Sequence, residues 1–173
     1  MFKRNKNKEL INKLVYDNSF LVDKCDNYEM FIGNIRSVAR SGNQILELAL
    51  TKDKEWVIIH QCISKNLISI YANLYYESYP SKYTAFLYAS KLGDTRIHIQ
   101  DIDGHKNNKG IGSLMMNALK VIAEREELVI DGTFAPSDPA YRERVIHFYK
   151  KHGFRVDEER CTILWHLHEQ SEE

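Results

Sequence analysis

The stretch from Arg96 to Phe134 restricts what this chain can fold into more than any other part of it. Ile97, Ile99, Asp101 and Asp103 alternate with His98, Gln100 and Ile102, a period of two with apolar residues on both faces, which predicts a strand. A loop carrying Gly110-Ile111-Gly112 follows, and the period then changes. Ile111, Leu114, Met115, Ala118, Leu119 and Ile122 fall on one helical stripe, with Ser113, Asn117, Lys120 and Glu124 opposite. Leu128, Val129 and Ile130 are too few and too β-branched for another helix and predict a second strand. Such a unit packs its helix on the sheet and presents the helix N-terminus at the first strand's carboxyl end.

Small residues at that N-terminus let a ligand approach the backbone, and unpaired first-turn N–H groups attract an anion. Gly110-Ile111-Gly112, with Lys109 before it, fits that role, but it equally fits a turn that merely needs glycine. A Walker loop is excluded, since no Gly-Lys-Ser/Thr occurs. A dinucleotide fingerprint fits poorly, because Met115 sits where the third glycine belongs and Asp131 lies within the next strand rather than at its end.

Asn107-Asn108-Lys109-Gly110-Ile111-Gly112 resembles the Gln/Arg-x-x-Gly-x-Gly/Ala motif of the GNAT superfamily of N-acetyltransferases, placed between strand and helix as in that family. Val145 to Phe154, Val-Ile-His-Phe-Tyr-Lys-Lys-His-Gly-Phe, resembles the family's second signature, a helix ending in Phe-Tyr-x-x-x-Gly-Phe. Both motifs occur in the family's order with one strand between them, and the likeness covers roughly residues 94 to 165. Asn107 stands where the family has Gln or Arg, and Arg142 where many members have Asn.

The resemblance implies an α/β fold of the α+β kind: a mixed, mostly antiparallel sheet with a splayed parallel strand pair and flanking helices. It implies acetyl-CoA as cosubstrate, with no metal. Pantetheine amides would pair with the first splayed strand at Gln100 and Ile102, and the pyrophosphate would sit on the backbone of Asn107, Asn108, Lys109, Gly110, Ile111, Gly112 and Ser113. Lys109, Arg142 or Lys150 could reach a CoA phosphate, and Tyr149 matches the tyrosine that protonates the leaving thiolate in many members. The acceptor would be a primary amine of a small molecule or peptide, attacking the thioester directly. Asp101, Asp103, His98 and His105 are all open as its base. A non-catalytic acyl-CoA-binding module and a strand-rich interaction protein are the competing readings.

The remaining residues bound these expectations. A length of 173 predicts one GNAT-like domain, with a helical segment over residues 1–20 and a solvated tail over 169–173. Zero formal net charge gives no global field toward nucleic acid or anionic membrane. The basic end at Lys3, Arg4, Lys6, Lys8 and Lys13 reads as a solvated face, so neither nucleic acid nor membrane is expected as a partner, while a homodimer is allowed. Cys25, Cys62 and Cys161 are odd in number without Cys-x-x-Cys spacing, which suits a reducing compartment with buried or incidental thiols. With no apolar stretch after the basic start and no run of transmembrane length, a cytoplasmic location is expected.

Along the chain, residues 5–18 predict a helix through Leu10, Ile11, Leu14 and Val15. Strands follow at Met30–Val38, Ile45–Leu50 (with Leu46, Leu48 and Leu50 on one face), Trp56–Ile63, Leu67–Tyr75 and Tyr83–Ser90, as consecutive antiparallel pairs. Six tyrosines between Tyr71 and Tyr88 predict either cross-strand aromatic contacts or an aromatic wall for an acceptor or a subunit. A helix capped by Asp138, opened by Pro139 and stopped at Gly153 has Lys150, Lys151 and His152 in its last turn, where positive charge suits the dipole. Thr162–Leu167 predicts a terminal strand.

Overall fold

The computed structural model describes residues 2–75, 84–104, 109–135 and 138–167, with side chains from Asn12 onward except Phe20, Asp23 and Ile63. A long helix α1 (Phe2–Arg40) leads into strands β1 (Gln44–Leu50), β2 (Trp56–Ser64), β3 (Leu67–Leu74), β4 (Ala85–Leu92) and β5 (Arg96–Asp103). Helix α2 (Ile111–Arg125), β6 (Val129–Thr133), α3 (Pro139–Lys151), β7 (Arg155–Asp157) and β8 (Thr162–Trp165) complete the order. The strands form one sheet, β1-β2-β3-β4-β5-β6-β8-β7, antiparallel at every pair except β5–β6. That is the expected mixed sheet with one parallel pair.

The main core lies between the sheet and α2. Val57, Ile59, Ile68, Ile70, Leu74, Leu87, Ile97 and Ile99 meet Ile111, Met115, Met116, Leu119 and Ile122 in one buried cluster. Leu74 and Leu87 are fully buried, and each such residue contributes about 1.5–3 kcal/mol over an exposed state. On the other face, Ile58 meets Phe31 and Val38 of α1 in a smaller cluster, and the Phe31 and Trp56 rings lie 5.8 Å apart.

Residues Met30–Val38 are helical, not the strand their sequence predicts. Phe31, Asn34 and Val38, spaced three and four apart, are the buried residues of this stretch, which is a helical period. Extending a running helix fixes one residue per hydrogen bond, whereas a new strand needs a partner across a loop. The helix stops where Gly42 takes a φ of +77°, with Ser41 and Gly42 N–H groups donating back to Ser37 and Ala39 carbonyls.

In β1 the expected apolar face is also broken. A register shift between Ile45 and Glu47 puts Leu46 and Ala49 on the core and leaves Leu48 and Leu50 exposed. Strand β7 has no counterpart in the sequence reading; its three residues are too few to show a period. Tyr71 and Tyr88 make an edge-to-face cross-strand contact, with centroids 6.0 Å apart. Tyr76, Tyr79 and Tyr83 lie outside the described residues, as do His105, Asn107, Asn108 and the 169–173 tail.

Candidate functional site

The parallel pair β5–β6 is joined only from Arg96↔Val129 to Ile99↔Gly132, and beyond that point the strands part. Gly132 sits at the parting. A Cβ there would lie 3.2 Å from the Ile99 carbonyl oxygen and 3.1 Å from Ile163, so a side chain would wedge the last pair. On the other side of β5 the register slips between Tyr88↔Asp101 and Ala89↔Ile99. Gln100 is the extra residue, opposite no residue of either neighbouring strand among those described. Beyond Ile99 no described residue of β6 pairs with β5, and a space opens there between Ile102 and helix α3.

Two connected cavities occupy that space. The inner one, about 200 Å³, is lined by Ile102, Gly104, Gly112, Tyr141, Arg144, Val145, Phe148 and Tyr149. The outer cleft, about 1070 Å³, shares Ile102, Gly104, Gly112, Tyr141, Arg144 and Phe148 and adds charged residues on both sides. Lys52, Arg144 and Lys151 are its cations; Asp101, Asp103 and Glu143 its carboxylates.

The first turn of α2 forms one wall. Gly110, at the N-cap, has a φ of +83°, and its carbonyl accepts the N–H groups of Ser113 and Leu114. Among the described residues nothing accepts the N–H groups of Ile111 and Gly112, so these two are available to an anion. Gly112 packs on the chain leaving β5: a Cβ on it would meet the Gly104 Cα at 3.4 Å and the Phe148 ring at 3.6 Å. Ile111 contributes backbone alone, since its side chain is fully buried.

Helix α3 forms the other wall, and its sequence signals hold. Asp138 accepts the Ala140 N–H at 2.9 Å, Pro139 opens the helix and Gly153 follows with a φ of +74°. Tyr149 is 4% exposed, with Phe148 and Phe154 edge-on at 5.4 Å each. Its hydroxyl has no hydrogen-bond partner among the described residues. Burial, with smaller contributions from Tyr141 and Asp101, pushes that hydroxyl up to about 12, so it stays protonated at any physiological pH.

Several expected site residues are engaged elsewhere. The Lys109 ammonium pairs with Glu55 at 2.5 Å and its carbonyl accepts the Lys52 N–H, which ties the glycine loop to the β1–β2 turn. Arg142 donates to the Glu158 carbonyl and lies over the Phe134 ring, bracing the β7–β8 turn outside the cleft lining. Lys150 pairs with Glu158 at 2.7 Å. His98 is held by Asp131 at 2.7 Å, beside Arg96. Gln100 is exposed at the bulge; Asp101, Ile102 and Asp103 border the cleft.

His152 corrects the dipole argument. It is buried, its Nε2 lies 3.0 Å from Ser113 Oγ, and its carbonyl accepts the Lys120 ammonium. Burial, then the charges of Lys151 and Lys120, lowers it to about 4, so it is neutral at physiological pH and lends no charge to the helix end. Tyr141, Arg144 and Gly104 were not singled out in the sequence. Stepping back from Phe148 by four and seven residues reaches Arg144 and Tyr141, and that helical spacing was the available signal.

Comparison with known proteins places this arrangement. No protein-family profile matches the sequence. The uncharacterized protein YocC of Bacillus subtilis (strain 168) is 31% identical over 137 residues, which is 76% of this chain and 81% of YocC. The chain belongs to the YocC family. The structure of a mutant cAMP-binding acyltransferase from Mycobacterium smegmatis superposes with a TM-score of 0.55 at 10% identity, over 82% of this chain and 53% of that one. A GNAT family acetyltransferase from Elizabethkingia anophelis, with acetyl-CoA bound, gives 0.46 at 15% identity over 59% and 78%. This YocC-family chain shares its fold with the Mycobacterium smegmatis acyltransferase. Among its described residues no group of three or more His, Cys, Asp or Glu is placed to hold a metal ion, and no described helix is long and apolar enough to cross a membrane.

Proposed function

We propose that the protein is an acetyl-CoA-dependent N-acetyltransferase acting on a primary amine of a small molecule or peptide. The observation that carries this reading is the stretch of β5 beyond Ile99, which has no β6 partner among the described residues and borders a cavity lined by Tyr149. Pantetheine amides would take the place of the missing strand along Gln100–Ile102. The pyrophosphate would rest on the Ile111 and Gly112 N–H groups, with Arg144, Lys52 and Lys151 as the nearby cations in place of Lys109 and Arg142. Residues Asn107 and Asn108 complete the proposed loop.

In the reaction the amine nitrogen attacks the thioester carbonyl carbon and the carbon–sulfur bond breaks. The sulfur receives a proton as the amine loses one to water or to a cleft carboxylate, Asp101 or Asp103. Tyr149 is the donor to sulfur. A phenol near 12 transferring to a thiolate of pKa ~8.5 runs uphill by roughly 4–5 kcal/mol, which an ordinary turnover barrier accommodates only late in bond cleavage. The hydroxyl therefore acts first as a hydrogen-bond donor to the developing thiolate and gives up its proton last.

Calorimetric titration with acetyl-CoA, followed by free-thiol release across a panel of amines, tests the reading. Binding with amine-dependent thiol release is expected. Binding without release from any amine would leave a non-catalytic acyl-CoA module, and absence of binding would remove the CoA site altogether.

A further inference from the structure

We propose that the outer part of α1 is a dimerisation helix, in which residues Leu14 to Ile32 form a parallel two-stranded coiled coil with the same segment of a second copy of this chain. Leu14, Leu21 and Tyr28 recur every seven residues, and Asn18, Cys25 and Ile32 each follow four later. This alternating spacing of four and three is a coiled-coil seam, with Leu14, Leu21 and Tyr28 at d and Asn18, Cys25 and Ile32 at a. Leu14 is 55% exposed, Leu21 57%, Tyr28 56% and Ile32 46%; Asn18 and Cys25 are exposed as well. Val15 and Val22, at e, widen the same exposed stripe. The face that docks on the protein's own sheet is a different one, built on Phe31, Asn34 and Val38. Phe31 and Val38 fall at g, beside the seam rather than in it. A solvent-surrounded helix of this composition is marginal in water without a partner for its apolar stripe.

Two features select a second copy, arranged in parallel. An a-position Asn18 meets its own counterpart in a parallel pair and satisfies amide with amide, whereas a purely apolar partner would bury it unpaired. Lys24 at g and Glu29 at the following e have opposite charge, so Lys24 of one copy faces Glu29 of the other in both directions. Antiparallel pairing sets g against g and loses that match. Cys25 at a places two thiols face to face, which makes the register observable.

Sedimentation of the full chain is expected to show a dimer. Leu14→Glu with Leu21→Glu should give a monomer, while Tyr16→Glu, at the f position facing away from the seam, should remain dimeric. Both Leu side chains are exposed in the single chain, and an unchanged thermal transition of the double variant confirms that its sheet domain is folded. Independently, a Cys62→Ser, Cys161→Ser chain treated with diamide should form a disulfide between the two Cys25 thiols, each losing one proton and one electron to the oxidant. A monomeric native chain, a dimer that survives both glutamates, or a dimer in which Cys25 fails to cross-link each overturns the proposal.

Discussion

Helix α2 is 15 residues long and buries eight of them; helix α1 is 39 long and, of its described side chains, buries Phe31, Asn34 and Val38. The short helix is enclosed by the sheet on one side and by Phe148 and His152 of α3 near its N-terminus, where Gly112 and Ser113 make the contacts. At about 1.5 Å per residue the long one spans about 58 Å, yet its buried residues, among the described side chains, all lie in its last turns. Length and anchoring are thus unrelated here. The protein keeps its rigid packing for the region that opens the β5–β6 gap, and leaves an apolar stripe of α1 outside that packing.

If the two regions are separable, damage at the gap should leave α1 and its assembly untouched, and the reverse. The largest effect is expected from Tyr149→Phe, which keeps the ring among Phe134, Phe148 and Phe154 but removes the donor. Single-turnover acetylation should fall by roughly 10²–10⁴-fold with acetyl-CoA affinity, thermal stability and oligomeric state unchanged. A wild-type single-turnover rate on a verified acceptor would remove Tyr149 from the mechanism.

Gly112→Val comes next. Its side chain would press on Gly104 and Phe148 and cover the backbone offered to the pyrophosphate, so acetyl-CoA affinity should drop by roughly 100-fold. Titration calorimetry reads this. Full affinity in a folded Val variant would show that the cofactor lies elsewhere.

A smaller effect separates the regions by pH. An unfolded His takes its proton near pH 6.5, while folded His152 resists until about 4. Stability is therefore full above 6.5, declines as pH falls from 6.5 to 4, and levels off below. At about 1.4 kcal/mol per unit, the loss should be on the order of 3 kcal/mol. His60, also lowered by burial, adds in the same direction, so His152→Gln should remove only part of the slope in denaturant melts across that window. A variant with the full slope would mean that His152 is already protonated in the fold. The smallest effect, none, is expected from deleting Met1–Lys8: acetyl-CoA affinity should not move, and the intact chain should show no salt-sensitive nucleic-acid binding that the deletion abolishes.

Legibility in the sequence divided along the same line. From Arg96 to Trp165 each structural signal was local: alternation in β5, a 3.6-residue stripe in α2, Asp138, Pro139 and Gly153 bounding α3. Tyr149 and the glycines around Ile111 were singled out by the family resemblance of their short segments, and Gly112 and Tyr149 line the cavity. Residues 30–38 were misread because nine residues with apolar side chains spaced at both two and three to four fit either period, and the deciding partner, Ile58, is far along the chain. The settings of Lys109, Arg142 and His152 were not legible for a related reason. Their charge is set by type, but whether it meets a ligand, Glu55, the Glu158 carbonyl or a desolvating wall depends on which loops arrive beside them.

The sequence by itself determined the order of elements after Gln44 apart from β7, the caps of α3, the glycine-led turn into α2 and the periods of β5 and α2, because these depend on φ/ψ preferences and spacing over a few residues. Only the tertiary structure decided where β5 and β6 separate, that Gln100 has no strand partner among the described residues, that Arg144 rather than Arg142 lines the cleft, and that α1 continues to Arg40 with its apolar stripe exposed. Those outcomes turn on pairings between segments tens of residues apart. The free energy of such a contact belongs to neither segment alone, so no local pattern in either one encodes it.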